Sequence, residues 1–182
     1  MPTNILIDWL IQVGGLQAGT GVVSTVELYA YHHGDAGGGQ LVHSGEQFVL
    51  PEPIYRALIA ATSDILYVIW TNSQRVISLN VERRIFRRLA DLHWWHVLGG
   101  TTVLAKQVYI TGGTEGMAPE GESKASSTVE VYDSEMDCWT EVTPMTQARS
   151  SHGCVTIRMR WLSTRAGKKL GFLKIIFGFK VF

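Results

Sequence analysis

The segment of residues 107–157 constrains the fold of this chain more than any other. It contains an apolar run that ends in a glycine pair, Val108-Tyr109-Ile110-Thr111-Gly112-Gly113, followed by Val129-Glu130-Val131-Tyr132-Asp133 and Cys138-Trp139-Thr140-Glu141-Val142. Short apolar runs bounded by glycine, proline and other turn residues predict β-strands. Helix is expected to be scarce, and to be confined to the residues after Ile157 if it is present. The expected antiparallel strands are residues 108–111, 129–133, 139–142 and 153–157.

Several residues of this segment have physical properties that suit closely packed strands. Gly112 and Gly113 lack a Cβ, which allows a neighbouring backbone to approach. Tyr132 suits a pleated and largely buried strand. Trp139 is expected to spread its ring against the next sheet, a burial that contributes a few kcal/mol. Pro144 is expected to end that strand and to start the crossing to the following one.

Two earlier segments repeat parts of the same order. Val13-Gly14-Gly15 precedes Val26-Glu27-Leu28-Tyr29, which again places a glycine pair before a strand that ends in tyrosine. Val76-Ile77-Ser78-Leu79 aligns with residues 129–132 at a shift of 53 residues, and the same shift brings Trp139 onto Phe86. In this middle unit Trp70-Thr71 stands where the glycine pair belongs. The repetition predicts three similar β units.

The complete order of motifs resembles a kelch repeat, the sequence unit of one β-propeller blade. The residues that carry the resemblance are Gly14, Gly15, Tyr29, Gly112, Gly113, Tyr132 and Trp139. The resemblance implies an all-β fold, a partial kelch β-propeller of about three four-stranded antiparallel blades. A kelch propeller usually has about six blades of about 50 residues, so a chain of 182 residues is expected to be a truncated or partial kelch protein. The expected division is residues 5–157 as kelch repeats and residues 158–182 as a non-kelch tail.

The tail differs from the rest of the chain in composition. Residues 158–182 carry seven Lys or Arg residues and no acidic residue, and we expect them to be irregular. Residues 170–182 are mostly apolar, but a run of 13 residues is too short to span a bilayer as a helix. Three alternatives stay open: an unrelated tail from splicing or an imperfect gene model, a segment bound to a membrane surface, and a strand that covers the exposed blade. A membrane role is the less favoured of these.

The overall composition is that of a globular protein without a charge bias. Sixteen basic and sixteen acidic residues cancel, which gives no reason to expect nucleic acid or anionic lipid as a partner. Residues 5–13 are apolar but contain Asp8 and follow no basic residue, so they read as a strand rather than a secretory signal. Cys138 and Cys154 lack metal-type spacing, which favours a reducing, cytoplasmic environment.

Three polar clusters are candidates for a site, and each has a simpler structural interpretation. His32 and His33 with Asp35 lack a second pair of ligands, so a solvated loop is favoured over a metal site. The run of residues 93–96, His-Trp-Trp-His, could stack on bases, but packing between blades is favoured. Arginines 83, 84, 87 and 88 are expected to form a solvated face that discourages edge pairing, with an acidic partner as the alternative.

The residues predict no enzyme, no cofactor and no metal. Ser150, Ser151 and His152 are adjacent, but neighbours on a strand alternate faces and no acidic residue is placed to orient the histidine. Some kelch-containing propellers are copper oxidases, and their chemistry needs a cluster of Tyr, Cys and His ligands. Nothing in this sequence places such ligands together.

The resemblance to kelch proteins implies a protein-interaction module. Many such proteins recognise substrates for cullin-RING ubiquitin ligases, in which an upstream BTB domain binds the cullin and the propeller binds the target. The sequence shows no BTB domain before its first repeat, so cullin is expected only through such a domain. The alternative from another class is a kelch protein that binds F-actin.

Family propellers usually bind partners on the face formed by the loops that follow the glycine pairs and the turns that lead into each first strand. In this chain those loops are residues 16–24, 72–75 and 114–127. Arg56 and Arg149 each follow a proline-containing strand end, and together they could bind an acidic peptide through their forked guanidinium donors. The candidate partner-binding residues are Tyr55, Arg56, Thr114, Glu115, Arg149 and Ser151.

Overall fold

The computed structural model describes residues 7–33, 39–54, 56–71, 73–116, 124–158 and 172–178. Every regular element in these ranges is a β-strand, and all the pairings between strands are antiparallel. The strands are β1 (Ile7–Gln17), β2 (Gly21–His33), β3 (Gly39–Val49), β4 (Ala57–Ala61), β5 (Ile65–Trp70), β6 (Val76–Asn80), β7 (Ile85–Arg88), β8 (Gly100–Leu104), β9 (Gln107–Thr111), β10 (Val129–Asp133), β11 (Cys138–Glu141), β12 (His152–Arg158) and β13 (Phe172–Gly178).

The four strands expected in residues 107–157 are all present, as β9 to β12. The all-β class is therefore confirmed. The sheets differ in size from the expected three blades of four strands, because two sheets have four strands, one has three and one has two. The chain divides into two compact units, residues 1–56 and residues 57–182.

The first unit is a three-stranded sheet in the order β1-β2-β3. Its glycine pair was expected to end a strand, but β1 continues to Gln17 and shifts its register between Val13 and Gly15. A Cβ on Gly14 would collide with Ile54, whose backbone oxygen accepts a hydrogen bond from Gly15 N at 3.1 Å. The pair thus forms a bulge that admits the Ile54 backbone. Residues 16–24, expected as a loop, are mostly strand with a turn at residues 18–20.

The second unit contains two four-stranded sheets, β4-β5-β6-β7 and β11-β10-β9-β8. Their registers bear out the repeat alignment. Leu79 pairs with Phe86 as Tyr132 pairs with Trp139, both at the predicted shift of 53 residues. Both sheets are therefore built from equivalent short strands in the same order.

The core of this unit lies between the two four-stranded sheets. Trp139 is 3% exposed, and its Nε1 donates to Ala90 O at 3.0 Å. Trp139 was expected to pack on the next sheet, and this expectation is wrong. Trp139 and Tyr132 share one face of their sheet, and this face packs against the preceding sheet. The packed residues are Ala60, Tyr67, Ile69, Val76, Leu89, Leu92, Val108, Ile110, Tyr132 and Trp139.

The remaining two strands pair with each other. β12 begins at His152 and pairs with β13, so residues 172–178 of the tail form a strand. A strand was one of the alternatives left open for the tail, and the expectation of irregular structure is wrong for these residues. Thr156 Oγ1 lies 3.0 Å from Thr102 Oγ1, which places β12 against β8. The domain boundary between residues 157 and 158 stays a prediction.

Candidate functional site

Four connections come together at one end of the second unit. They are residues 71–75, 89–99, 112–128 and 142–151, of which residues 72 and 117–123 lie outside the described part of the chain. Successive strands of each sheet run antiparallel, so these connections leave the sheets at the same end. We call this group of connections the loop end.

Backbone hydrogen bonds join three of these connections to one another. Gly113 N donates to Arg149 O at 2.9 Å, Arg149 N to Ser126 O at 3.0 Å, and Ser126 N to Gly113 O at 2.8 Å. Two further bonds reach the crossing between β7 and β8, from Thr114 N to Val97 O at 2.8 Å and from Ser151 N to Leu98 O at 2.7 Å. The loop end is therefore fixed by its own backbone.

The glycine pair Gly112-Gly113 makes this arrangement possible. Both residues have positive φ, 57° and 95°. A Cβ on Gly113 would lie 2.7 Å from the His96 carbonyl carbon and 2.8 Å from Val97 O, and a Cβ on Gly112 would collide with Arg149 O. Only glycine combines this backbone conformation with such close neighbours. This confirms the expected close approach at the second glycine pair.

A buried glutamate lies beneath the loop end. Glu130 on β10 is fully buried, and its carboxylate accepts hydrogen bonds from the backbone amides of His93 (3.1 Å) and Trp94 (3.2 Å). The ring nitrogens His93 Nδ1 and His96 Nε2 each lie 3.0 Å from its oxygens. One carboxylate thus holds residues 93–96 of the crossing against β10.

His96 makes this cluster a buried ion pair. It is fully buried, and its Nδ1 faces Gly112 O at 2.5 Å while its Nε2 faces Glu130. Gly112 O and the Glu130 carboxylate are both hydrogen-bond acceptors, and each faces one ring nitrogen of His96. Burial alone would raise the pKa of Glu130, but the hydrogen bonds from His96 and from the His93 and Trp94 amides outweigh it and hold this pKa below its ordinary value.

The sequence interpretation missed Glu130, and it was only partly right about residues 93–96. His96 packs in the interior as expected. Trp94, however, is 42% exposed, and its Nε1 donates to Glu141 Oε2 at 3.2 Å. The sequence contained two signals for this cluster. One is the spacing of His93 and His96, and the other is the charged Glu130 at the position that corresponds to Ile77 in the preceding sheet.

The structure places four of the six candidate partner-binding residues at the loop end. Glu115 and Ser151 are exposed and Arg149 is half-buried. Thr114 is buried, and its hydroxyl donates to Gly116 O at 3.2 Å, so its side chain supports the turn instead of facing a partner. Arg56 is exposed with a positive φ of 60° and belongs to the first unit, and Tyr55 lies outside the described residues.

Arg149 lies close enough to His152 to affect its ionisation. Burial lowers the pKa of His152, and the charge of Arg149 lowers it further. His152 Nε2 contacts Thr111 Oγ1 at 2.9 Å, while its Nδ1 is buried without a partner among the described residues. This histidine therefore contacts a threonine of β9, and Ser151 beside it adopts a left-handed backbone conformation with φ of 52°.

The other clusters considered from the sequence have local partners or lie apart. His32 and His33 are in β2, and Asp35 lies outside the described residues. No group of three potential metal ligands is found in the described ranges. Arg87 and Arg88 form exposed ion pairs with Asp137 (3.1 Å) and Asp91 (2.5 Å). Cys138, at the start of β11, is a free thiol.

Comparison with known proteins identifies the repeat. Residues 97–146 match the family model of the kelch motif. A solved structure titled "Structure of YjhT", a kelch-type β-propeller and one of 135 matching chains, superposes with a TM-score of 0.51 at 12% identity. The match covers 71% of this chain and 42% of that one, so this chain spans less than half of that propeller. The search of curated proteins gives no match. The described part of the chain contains no helix with the length and hydrophobicity of a membrane span.

Proposed function

We propose that this chain, a kelch-repeat chain with the fold of part of a β-propeller, binds a protein partner through the loop end of its second unit. The kelch motif supports a protein-interaction role. The finer proposal is substrate recognition for a cullin-RING ubiquitin ligase in the cytoplasm, with cullin bound through a BTB domain. Binding to F-actin is the competing outcome of the test below.

The observation that carries this proposal is the fixed backbone beneath exposed side chains. Arg149 is held on both sides, since its N donates to Ser126 and its O accepts from Gly113. Its half-buried side chain stands beside Ser151, and the exposed Trp94 and Leu98 (42% and 37%) lie on the neighbouring crossing. A rigid backbone lowers the entropy lost on binding, and aromatic and arginine side chains contribute most of the free energy at protein interfaces.

The chemistry of Arg149 favours an acidic peptide segment as the partner. A guanidinium binds a carboxylate through two parallel hydrogen bonds, which supplies orientation as well as attraction. Burial lowers the pKa of the neighbouring His152, and the charge of Arg149 lowers it further. This histidine therefore stays neutral more readily beside the guanidinium. The loop end thus offers the Arg149 guanidinium together with exposed apolar surface at Trp94 and Leu98.

The test compares Arg149→Glu with a charge reversal at the opposite end of the unit, Lys106→Glu. Lys106 is exposed in the turn between β8 and β9. We expect Arg149→Glu to abolish capture of the partner while the melting temperature stays unchanged, and Lys106→Glu to leave capture intact. Loss of folding in Arg149→Glu with residual binding retained would show that Arg149 has a structural role.

The identity of the assembly is tested separately on the protein isolated from cells. Co-purification with a cullin supports the ligase proposal, whereas co-sedimentation with F-actin supports the cytoskeletal one. Capture that survives Arg149→Glu in either assay would reject the loop end as the binding surface.

A further inference from the structure

A second surface lies away from the loop end, at the outer edge of the sheet β4-β5-β6-β7. β7 is the last strand of this sheet and pairs with β6 on one side. Its other edge pairs with no strand in the described part of the chain. Such an edge presents backbone N–H and C=O groups that another extended chain can use.

A groove of about 270 Å³ reaches this edge over the face of the sheet formed by β5, β6 and β7, and Tyr132 and Ser134 also line it. Tyr67 and Tyr132 form its aromatic part, with ring centroids 5.9 Å apart in an edge-to-face arrangement. Ile85 and Arg87, which alternate on one face of β7, line its outer side together with Arg83. Ile85 is 57% exposed, so apolar surface stays open to solvent at this position.

The arginines of this edge differ in how they are engaged. The side chains of Arg87 and Arg88 form exposed ion pairs, and such pairs stabilise a protein only weakly. Asp137, the partner of Arg87, is also held by Tyr132 Oη at 2.6 Å and Ala90 N at 3.1 Å. Arg83 is exposed and has no side-chain partner among the described residues. Its guanidinium is therefore available at the mouth of the groove.

We propose that an extended acidic peptide segment of a partner protein adds as a strand to the open edge of β7. Its backbone pairs with β7, and its side chains at alternate positions lie beside Ile85 and Arg87 at the outer side of the groove. Its carboxylates lie against Arg83 and Arg87. Glutamates of an added strand find opposite charges at Arg83 and Arg87, whereas lysines there would meet like charges, which is destabilising. The edge therefore selects an acidic strand over a basic one.

The probe is a fluorescein-labelled peptide with alternating Glu and Val, measured by fluorescence anisotropy against the whole chain. We expect Arg83→Glu to weaken binding at least tenfold and Arg83→Gln to weaken it less. Circular dichroism of each variant checks that it folds. The matched control is Lys106→Glu, which reverses a charge elsewhere and is expected to bind the peptide as the unaltered chain does.

Two further peptides test the mode of binding. The counterpart with alternating Lys and Val is expected not to bind, and methylation of alternate backbone nitrogens in the acidic peptide is expected to abolish binding. Equal affinity for the basic peptide would overturn the charge argument. Unchanged affinity after methylation would overturn strand addition, and failure of the acidic peptide to bind the unaltered chain would overturn the whole proposal. An effect of Arg149→Glu on this peptide would assign it to the loop end instead.

Discussion

A single buried carboxylate, Glu130, connects the sheet β8–β11 to the crossing that precedes it. Four donors from three residues surround it, and His96 bridges it to Gly112 O. A buried charge of this kind is tolerated because each oxygen is engaged by donors, and removing one member leaves the others unpaired. Glu130 therefore fixes the position of residues 93–96 beneath the loop end.

Replacing Glu130 by Gln is expected to lower the free energy of unfolding by about 3–5 kcal/mol at pH 7, since the amide NH2 replaces one carboxylate oxygen and faces the N–H groups of either His93 or the Trp94–His96 pair. The pKa of Glu130 lies below its ordinary value of 4.5. The folded state thus binds this proton less readily than the unfolded state, so the stabilisation is complete above pH 4.5 and is lost as the pH falls through the lowered pKa.

Urea denaturation at pH 7 and at several values below pH 4.5 measures this effect. The difference between the parent and Glu130→Gln is expected to shrink in the acid range. Glu141→Gln is the matched control, because Glu141 is the exposed cross-strand neighbour of Glu130. Equal stability of parent and Glu130→Gln at pH 7 would contradict the ion-pair assignment.

At the scale of single strands, the two four-stranded sheets have the same pairing register, but the aromatic residue of their last strand is buried to different extents. Trp139 is 3% exposed between the sheets, whereas its equivalent Phe86 is partly exposed on β7. We expect Trp139→Ala to destabilise the second unit by about 3–5 kcal/mol, and Phe86→Ala to cost clearly less. Thermal melting of the two variants measures the difference, and equal losses would show that Trp139 lacks the packing role assigned to it.

The glycine pair before β10 allows a test that separates crowding from backbone conformation. Gly113 and Gly116 both have positive φ, 95° and 84°, but a Cβ at Gly116 meets no atom of the described residues within 4 Å. Gly116→Val is therefore expected to cost about 1–3 kcal/mol from conformation alone. Gly113→Val adds collisions with His96 and Val97, so its melting temperature should fall further. Similar melting temperatures would mean that the close approach at Gly113 is unimportant.

The sequence allowed the strands of the second unit to be predicted because their signals are local. Apolar runs, glycine pairs and prolines stand next to the strands they delimit, and a fixed shift relates the sheets. The course of β1 through Gly14-Gly15 was not predictable from those signals, since it depends on contact with Ile54 far along the chain. The burial of Glu130 was not predictable either, because a charged residue ordinarily lies at the protein surface and its partner His96 is 34 residues away in the sequence.

At the scale of the whole molecule, the chain consists of two units and spans 42% of the propeller it resembles. We propose that a partner docks at one end of the second unit, where four connections meet above Glu130. Open strand edges elsewhere, such as β7, are available for other contacts. Partner binding is therefore expected to depend on correct folding of the loop end within the second unit.

Site-specific photo-crosslinking tests this claim most directly. A benzoylphenylalanine residue is placed at Trp94 on the loop end or at Lys106 in the turn at the opposite end, and the cross-linked partner is identified by mass spectrometry. We expect partner cross-links from position 94 and none from position 106. The cross-links from position 94 should be lost when the Arg149→Glu substitution is added. Cross-links from position 106 in the absence of any from position 94 would contradict it.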